Sequence, residues 1–360
     1  MTYDPAARTH GDSRDDLTFM PDRGEVRETP LEVLRAHRLT PQALAFIRNS
    51  NPYPDGADTL APAPLSGKLE IGGLVARPLT LDLAELTDFP RVEVEAVMQC
   101  AGNGRAFYRN AREIDGAPWE RGGVMNGVWG GARVADVLAR AGIAPGARFL
   151  TATGGDGADS EDGPYEKSVP LADGLARGLL AHTLNGEPLS GAHGGPLRLM
   201  MPGYYGTVNV KWLRRLTLTH EETAHEAQRE RYRVPAPGGS KPCWRQPVKS
   251  LIWSPLEGER TSEQVTISGM ACNDGAAPIT QVGVTLDGGR TWQEAELEPE
   301  YGSFAWRRWH LRLALPPGEH EVWSRATDAL GRTQPLDGDD TWNPDGYEWH
   351  GVDKLKFEVG

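Results

Sequence analysis

Cysteine is scarce: only Cys100, Cys243 and Cys272 occur in 360 residues. So small and odd a number cannot supply a disulfide framework for a chain of this size, and a reducing compartment suits it. None of the three forms a Cys-x-x-Cys pair, which leaves a structural zinc site, an iron–sulfur cluster and a c-type haem attachment without support. Long apolar runs are missing too. Nothing is long enough to span a bilayer, and residues 1–16 are polar and charged, with neither a signal-peptide core nor a twin arginine. That reading places the protein in the cytoplasm, or in the periplasm if a leader has been removed. Positive charge is also in deficit. With 38 basic against 50 acidic side chains the net charge is −12, which argues against nucleic acid or an anionic membrane as partner. Any anion site here has to be built from local cations.

What is present is a soluble globular balance, 39% hydrophobic and 24% charged, in a chain longer than one typical core, so two domains are expected. The first 45 residues are charged and irregular, then carry one helix, Pro30-Leu31-Glu32-Val33-Leu34-Arg35, opened by a proline that suits a helix N-terminus. From there to about 240, short strands and helices alternate. Residues 132–141 put Val134, Val137, Leu138 and Ala141 on one helical face, with Gly142 where a C-cap belongs. Residues 196–201 and 208–213 read as strands separated by a Pro-Gly-Tyr-Tyr-Gly turn.

A break falls at Pro235-Ala236-Pro237-Gly238-Gly239-Ser240-Lys241-Pro242, which cannot continue a helix or a central strand. Beyond it the composition shifts, eight of the eleven tryptophans lying at or after Trp244. Short strands with regular turns follow, among them residues 281–286 leading through Asp287-Gly288-Gly289 to Thr291-Trp292, a hairpin signal. The fold class expected is α+β: a mixed α/β domain over 1–244, then an immunoglobulin-like β-sandwich over 245–360.

Several familiar chemistries fail on spacing. His220 and His225 are five residues apart rather than four, so their imidazoles diverge around a helix and do not make a zinc-protease pair. Gly154-Gly155-Asp156-Gly157-Ala158-Asp159 has glycines but two acids and no lysine, and reads as an acidic surface loop rather than a phosphate loop. No Gly-x-Ser-x-Gly elbow occurs. Cys100 is different. A lone cysteine is most often a small core hydrophobe, but this one closes the β-like run 91–99 and opens the tight loop Ala101-Gly102-Asn103-Gly104-Arg105. The glycines let backbone approach a ligand, and Arg105 sets positive charge beside a thiolate. Arg48-Asn49, His193, Arg198 and Lys211 add donors to the same half. Each alone reads as a solvated charge, but together they suit a large anionic cofactor or a small oxyanion.

The stretch Gln99-Cys100-Ala101-Gly102-Asn103-Gly104-Arg105 resembles the signature of the sulfite oxidase family of molybdenum enzymes. The resemblance continues through Phe46-Ile47-Arg48-Asn49, Trp119, Trp129-Gly130-Gly131-Ala132-Arg133, Asn185-Gly186-Glu187-Pro188-Leu189 with His193, Pro196 and Arg198, and Val210-Lys211-Trp212-Leu213. The C-terminal half is similar to that family's dimerisation domain through residues 265–269, Asp287-Gly288-Gly289 and Trp342-Asn343, so the likeness covers roughly 45–360.

The resemblance implies a molybdenum–molybdopterin cofactor, with Cys100 as the protein's ligand to the metal and Arg48, Asn49, His193, Arg198 and Lys211 around the cofactor. It implies that Arg48 and Arg105 bind an oxyanion and that Trp119 walls the pocket. His182 is expected where sulfite-oxidising members carry a tyrosine, donating a hydrogen bond or moving a proton. Ala277 and Gly104 stand where arginines are common, and Ser50 where a histidine is. The activity implied is oxidation of sulfite to sulfate, with electrons leaving to an external acceptor such as a cytochrome, because this chain has no segment for its own haem. The partners implied are therefore a small oxyanion, that acceptor and a second copy in a homodimer. The alternatives are a molybdenum reductase of nitrate or a sulfoxide and, from another class, a non-catalytic binding protein carrying an immunoglobulin-like module.

Overall fold

The computed structural model describes residues 16–360 except 21, 23 and 162. The run before Cys100 forms the strand Arg91–Gln99, paired antiparallel with Val124–Arg133 along its whole length, from Arg91 opposite Ala132 to Gln99 opposite Val124. Leu179–Leu184 extends this sheet beyond Val124–Arg133, and Arg198–Met200 pairs with Leu179–Leu184 in turn. Exposure falls along Arg91–Gln99 until Ala96, Val97, Met98 and Gln99 are all buried. The strand therefore delivers Cys100 into the interior.

A second sheet runs in the order Leu79–Asp82, Lys68–Gly73, Arg215–Thr219, Phe149–Thr153, Glu166–Pro170. Against it packs the helix Val134–Ala141, which starts two residues later than the sequence pattern suggests because Ala132 and Arg133 stay in their strand. Its expected face, Val134, Val137, Leu138 and Ala141, is fully buried in a cluster with Leu69, Leu150 and Leu216, each large aliphatic side chain contributing roughly 1.5–3 kcal/mol. Gly142, at φ 73, closes it through an N–H bond to the Leu138 carbonyl. The earlier helix spans Leu31–Ala36, with Pro30 just ahead of it.

The strand expected over 208–213 is absent. A single turn of 3-10 helix, Gly206–Val208, leads into irregular backbone until Arg215–Thr219. Asn209 imposes this, its side chain donating to the Tyr205 carbonyl (2.8 Å) and accepting from the Met201 N–H (2.6 Å), while Trp212 takes a left-handed φ of 49. No ladder survives those contacts, and Lys211 is left lining a cavity.

Residues 233–242 form an isolated two-stranded ribbon, Arg233–Ala236 with Gly239–Pro242. From Lys249 onward two sheets face each other, with Ile252, Ile267, Val282, Trp309, Val322 and Phe357 between them. This is the immunoglobulin-like sandwich. The two halves share a buried cluster in which Val97, Tyr108 and Val124 meet Leu251, Trp253, Trp306 and Trp349. Buried Arg121 also pairs with buried Asp353 across the junction (2.9 Å). The loop after Cys100 is thus built against the second half. Among the described residues no helix is long and apolar enough to cross a membrane.

Candidate active site

The loop holding Cys100 is fixed atom by atom. The Cys100 N–H donates to Gly123 (2.8 Å), and its carbonyl accepts from Asn103 (3.0 Å). The Asn103 side chain accepts from Gly123 N–H (2.9 Å) and donates to Gln99 Oε1 (3.2 Å). Buried Lys249, from the C-terminal half, donates to Gln99 Oε1 (3.0 Å) and to the Asn103 carbonyl (2.9 Å). Gly104 has φ +92, and a Cβ there would lie 2.3 Å from the Trp349 ring. The arginine that the resemblance leads one to expect at 104 has no room here.

Cys100 is partly exposed, whereas Cys243 and Cys272 are buried. Burial pushes the Cys100 thiol up and Asp22 adds to this, against a Gly102 backbone bond and the guanidiniums of Arg48 and Arg105, which favour thiolate. Burial alone, barely offset by Lys249, pushes Cys272 up to about 12. Of the three, Cys100 is the thiol that lines a cavity.

Cys100 opens onto a cavity that is also lined by Arg48, Asn49, His193, Arg198 and Lys211. All six residues expected around a cofactor therefore meet at one cavity, drawn from four separate segments. Its deep wall is ready for an anion. Arg198 donates to the carbonyls of His193 (2.8 Å) and Asn209 (2.9 Å), and Lys211 donates to Asn49 Oδ1 and to the Ala192 carbonyl (3.2 Å). Burial pushes Arg198 down to about 9. Lys211 falls to about 7 through burial and the nearby Arg198, which together outweigh Asp156 and Glu25. Among the described residues, Asn49 Nδ2 and Arg198 Nε are buried without an acceptor. Two cations at a cost and two orphaned donors fit a phosphate-bearing pterin.

Three expected residues are placed otherwise. Arg105 lies beneath the loop, buried, donating to the carbonyls of Ala117 (2.9 Å) and Asp345 (3.1 Å). Trp119 stands behind the wall, edge-on to the cavity-lining Phe46 at 5.8 Å. His182 is not at the cavity. It sits at a bulge of Leu179–Leu184, across Val124–Arg133 from the Arg91 end of Arg91–Gln99, where burial and then Arg91 push its pKa down. The register puts His182 level with Val92 and Glu93, so Cys100 lies roughly 25 Å further along the sheet at ~3.3 Å per residue. Ala277 likewise lies outside the lining, in a loop where its carbonyl accepts from Asn273 (2.8 Å).

Two tyrosines, Tyr165 and Tyr232, line the cavity, and the one beside Ser50 is Tyr232. Its hydroxyl is 3.4 Å from Ser50 Oγ, and its ring stacks on Tyr347 (5.1 Å, 29°) with the Lys167 ammonium 4.9 Å from its centroid. Tyr347 belongs to the C-terminal half and has Arg105 5.4 Å from its own ring, and the Glu348 N–H that follows donates to Ala101 (2.8 Å). The second half thus braces the site through Tyr347 and Glu348, while the residues that line the cavity come from the first. Asp156 and Tyr165 also line the cavity, so the loop 154–159 is not simply an acidic surface. His225, tested above only as a zinc ligand, instead caps the helix Glu226–Arg229 by accepting the Ala227 N–H (3.0 Å), and this turn delivers Tyr232. The sequence signal for Tyr232 was a tyrosine between Arg231 and Arg233, legible only once its neighbours were known.

Two family models match, an oxidoreductase molybdopterin binding domain over residues 60–227 and a Mo-co oxidoreductase dimerisation domain over 240–353. Human mitochondrial sulfite oxidase is 35% identical over 90% of this chain, which spans 63% of that protein, less than two thirds. Sulfite oxidase of Arabidopsis thaliana is 31% identical, with 90% of each chain covered. The crystal structure of the sulfane dehydrogenase SoxCD from Paracoccus pantotrophus is similar at a TM-score of 0.78 and 27% identity, over 100% of this chain and 90% of that one. With its cysteine loop, cation-lined cavity and C-terminal sandwich, the chain belongs to the sulfite oxidase family of molybdopterin-dependent oxidoreductases.

Proposed function

We propose that this chain oxidises sulfite to sulfate at a molybdenum–molybdopterin centre, with Cys100 as metal ligand. The observation that carries the reading is the meeting of Cys100 with Arg48, Asn49, His193, Arg198 and Lys211 at one cavity. The bound group supplies an oxygen atom for transfer and takes up the two electrons released. The chain supplies the rest. Arg198, Lys211 and Asn49 hold the pterin's acceptor atoms. The rigid loop keeps the Cys100 sulfur in place, its thiolate favoured by Arg48 and Arg105. At the mouth, Arg48 binds the oxyanion and Tyr232 donates a hydrogen bond to it, where charge shifts during transfer. Arg105 acts at longer range, its donors being held by carbonyls. Trp119 keeps Phe46 upright in the wall.

Electrons leave to an external acceptor such as a cytochrome, and two chains associate through the C-terminal half, a reading that the dimerisation-domain match supports. Three free cysteines suit a reducing compartment such as the cytoplasm. The test is purified, molybdenum-loaded protein assayed with sulfite plus ferricyanide, and separately with nitrate or a sulfoxide plus reduced viologen. Turnover with sulfite is expected. Turnover only in the reductive assays would reverse the direction proposed, and loaded protein inert in all of them would favour a binding role.

A further inference from the structure

Ahead of the strand Glu25–Glu28, the chain places a carboxylate beside the arginine that the oxyanion needs. Asp22 Oδ2 lies 3.2 Å from Arg48 Nη2 and accepts the Ala117 N–H at 3.1 Å. The carbonyl of the same Ala117 accepts from Arg105 Nη1 at 2.9 Å. Ala117 therefore ties Asp22 to Arg105, while Asp22 meets Arg48 directly, and all three charges act on Cys100: the arginines favour its thiolate, and Asp22 opposes it. Asp22 takes up one Nη of Arg48, whose side chain also lines the cavity.

We propose that Asp22 is a specificity-determining residue, its carboxylate competing with the incoming anion for Arg48 and selecting against doubly charged oxyanions. This rests on the reading of Arg48 and Cys100 as the oxyanion site. An anion entering beside Asp22 either displaces it from Arg48 or shares the guanidinium with a like charge. Both weaken binding of a dianion more than of a monoanion.

Asp22→Asn keeps an oxygen for the Ala117 N–H while removing the charge, and Asp22→Glu keeps the charge while disturbing the geometry. Sulfate binding to molybdenum-loaded enzyme is measured by titration calorimetry at fixed ionic strength for wild type and both variants. Asp22→Asn is expected to bind sulfate roughly tenfold tighter, as loss of one like charge at this range implies, and its KM for sulfite to fall in parallel. Asp22→Glu stays near wild type. Unchanged or weaker sulfate binding in Asp22→Asn, equal tightening in Asp22→Glu, or no sulfate binding by any of the three would overturn the proposal. If Asp22→Asn does not fold, Asp22→Ser carries the same comparison. Wild type inactive with sulfite would sink the proposed reaction while leaving the sulfate comparison readable; active enzyme indifferent to residue 22 would sink only this inference.

Discussion

The cavity has two cationic regions built in opposite ways. In the deep wall, Arg198 and Lys211 are buried among neutral carbonyls, and both are pushed down toward neutrality by their surroundings. At the mouth, Arg48 has a carboxylate on its guanidinium and is held above its ordinary range, because Tyr232, Asp22 and Cys100 outweigh the burial that works against its charge. Burying these cations is costly even with Asp156 and Glu25 near Lys211, so the deep pair suits an anion that arrives once and stays. The mouth already carries its own anion and suits a ligand that exchanges at every turnover.

Removing the deep pair with Arg198→Met and Lys211→Met should have the largest effect, loss of the pterin by at least ~100-fold in retained molybdenum, since two charge-assisted contacts of about 1.5–3 kcal/mol each disappear. Retention at wild-type level would erase the contrast between the regions. At the mouth, Tyr232→Phe should lower kcat roughly 100-fold, in line with loss of a positioned proton donor, with molybdenum content unchanged. A drop in content instead would move Tyr232 to the cofactor side.

The pH dependence of stability sharpens the contrast further. Lys211 is pushed down to about 7 in the fold, against ~10.4 in an unfolded chain. Between those values the unfolded chain binds the proton and the folded one does not, so this group's contribution to stability rises with pH; below about 7 both states are protonated and the full penalty is present. Cofactor-free wild type should therefore gain a few degrees in Tm from pH 7 to 9 relative to cofactor-free Lys211→Met, by roughly the conversion that holds for chains of this size. Equal slopes would mean that Lys211 is not strained by burial. The smallest effect belongs to His182→Ala, expected within about twofold of wild type in kcat/KM because the residue is remote from both regions. A loss beyond tenfold would restore His182 to the mechanism.

Much of the deep region was legible in the sequence. Cys100 between a strand and a glycine-bearing loop, Arg48-Asn49, and the trio His193, Arg198 and Lys211 each carry local patterns that keep their meaning once folded, and the helix face Val134, Val137, Leu138, Ala141 did so through periodicity. The mouth was less legible because tertiary approach builds it. Tyr232 arrives on a turn capped by His225, Tyr347 from the other domain, and Asp22 from the arm before a short strand. His182 shows the complementary failure. Alternation places a residue on a strand but not at one end of the sheet, and register carries His182 toward Arg91 rather than Cys100. At Gly104 the deciding neighbour, Trp349, lies some 245 residues away in the chain.

The most direct test of Cys100 as the metal ligand is elemental analysis and sulfite turnover of wild type beside Cys100→Ser, with circular dichroism to check that both are folded. Near-stoichiometric molybdenum in active wild type, and turnover below ~1% in folded Cys100→Ser as expected when a metal's thiolate is lost, is the predicted result. Folded Cys100→Ser that oxidises sulfite at the wild-type rate, or active wild type without molybdenum, would contradict it.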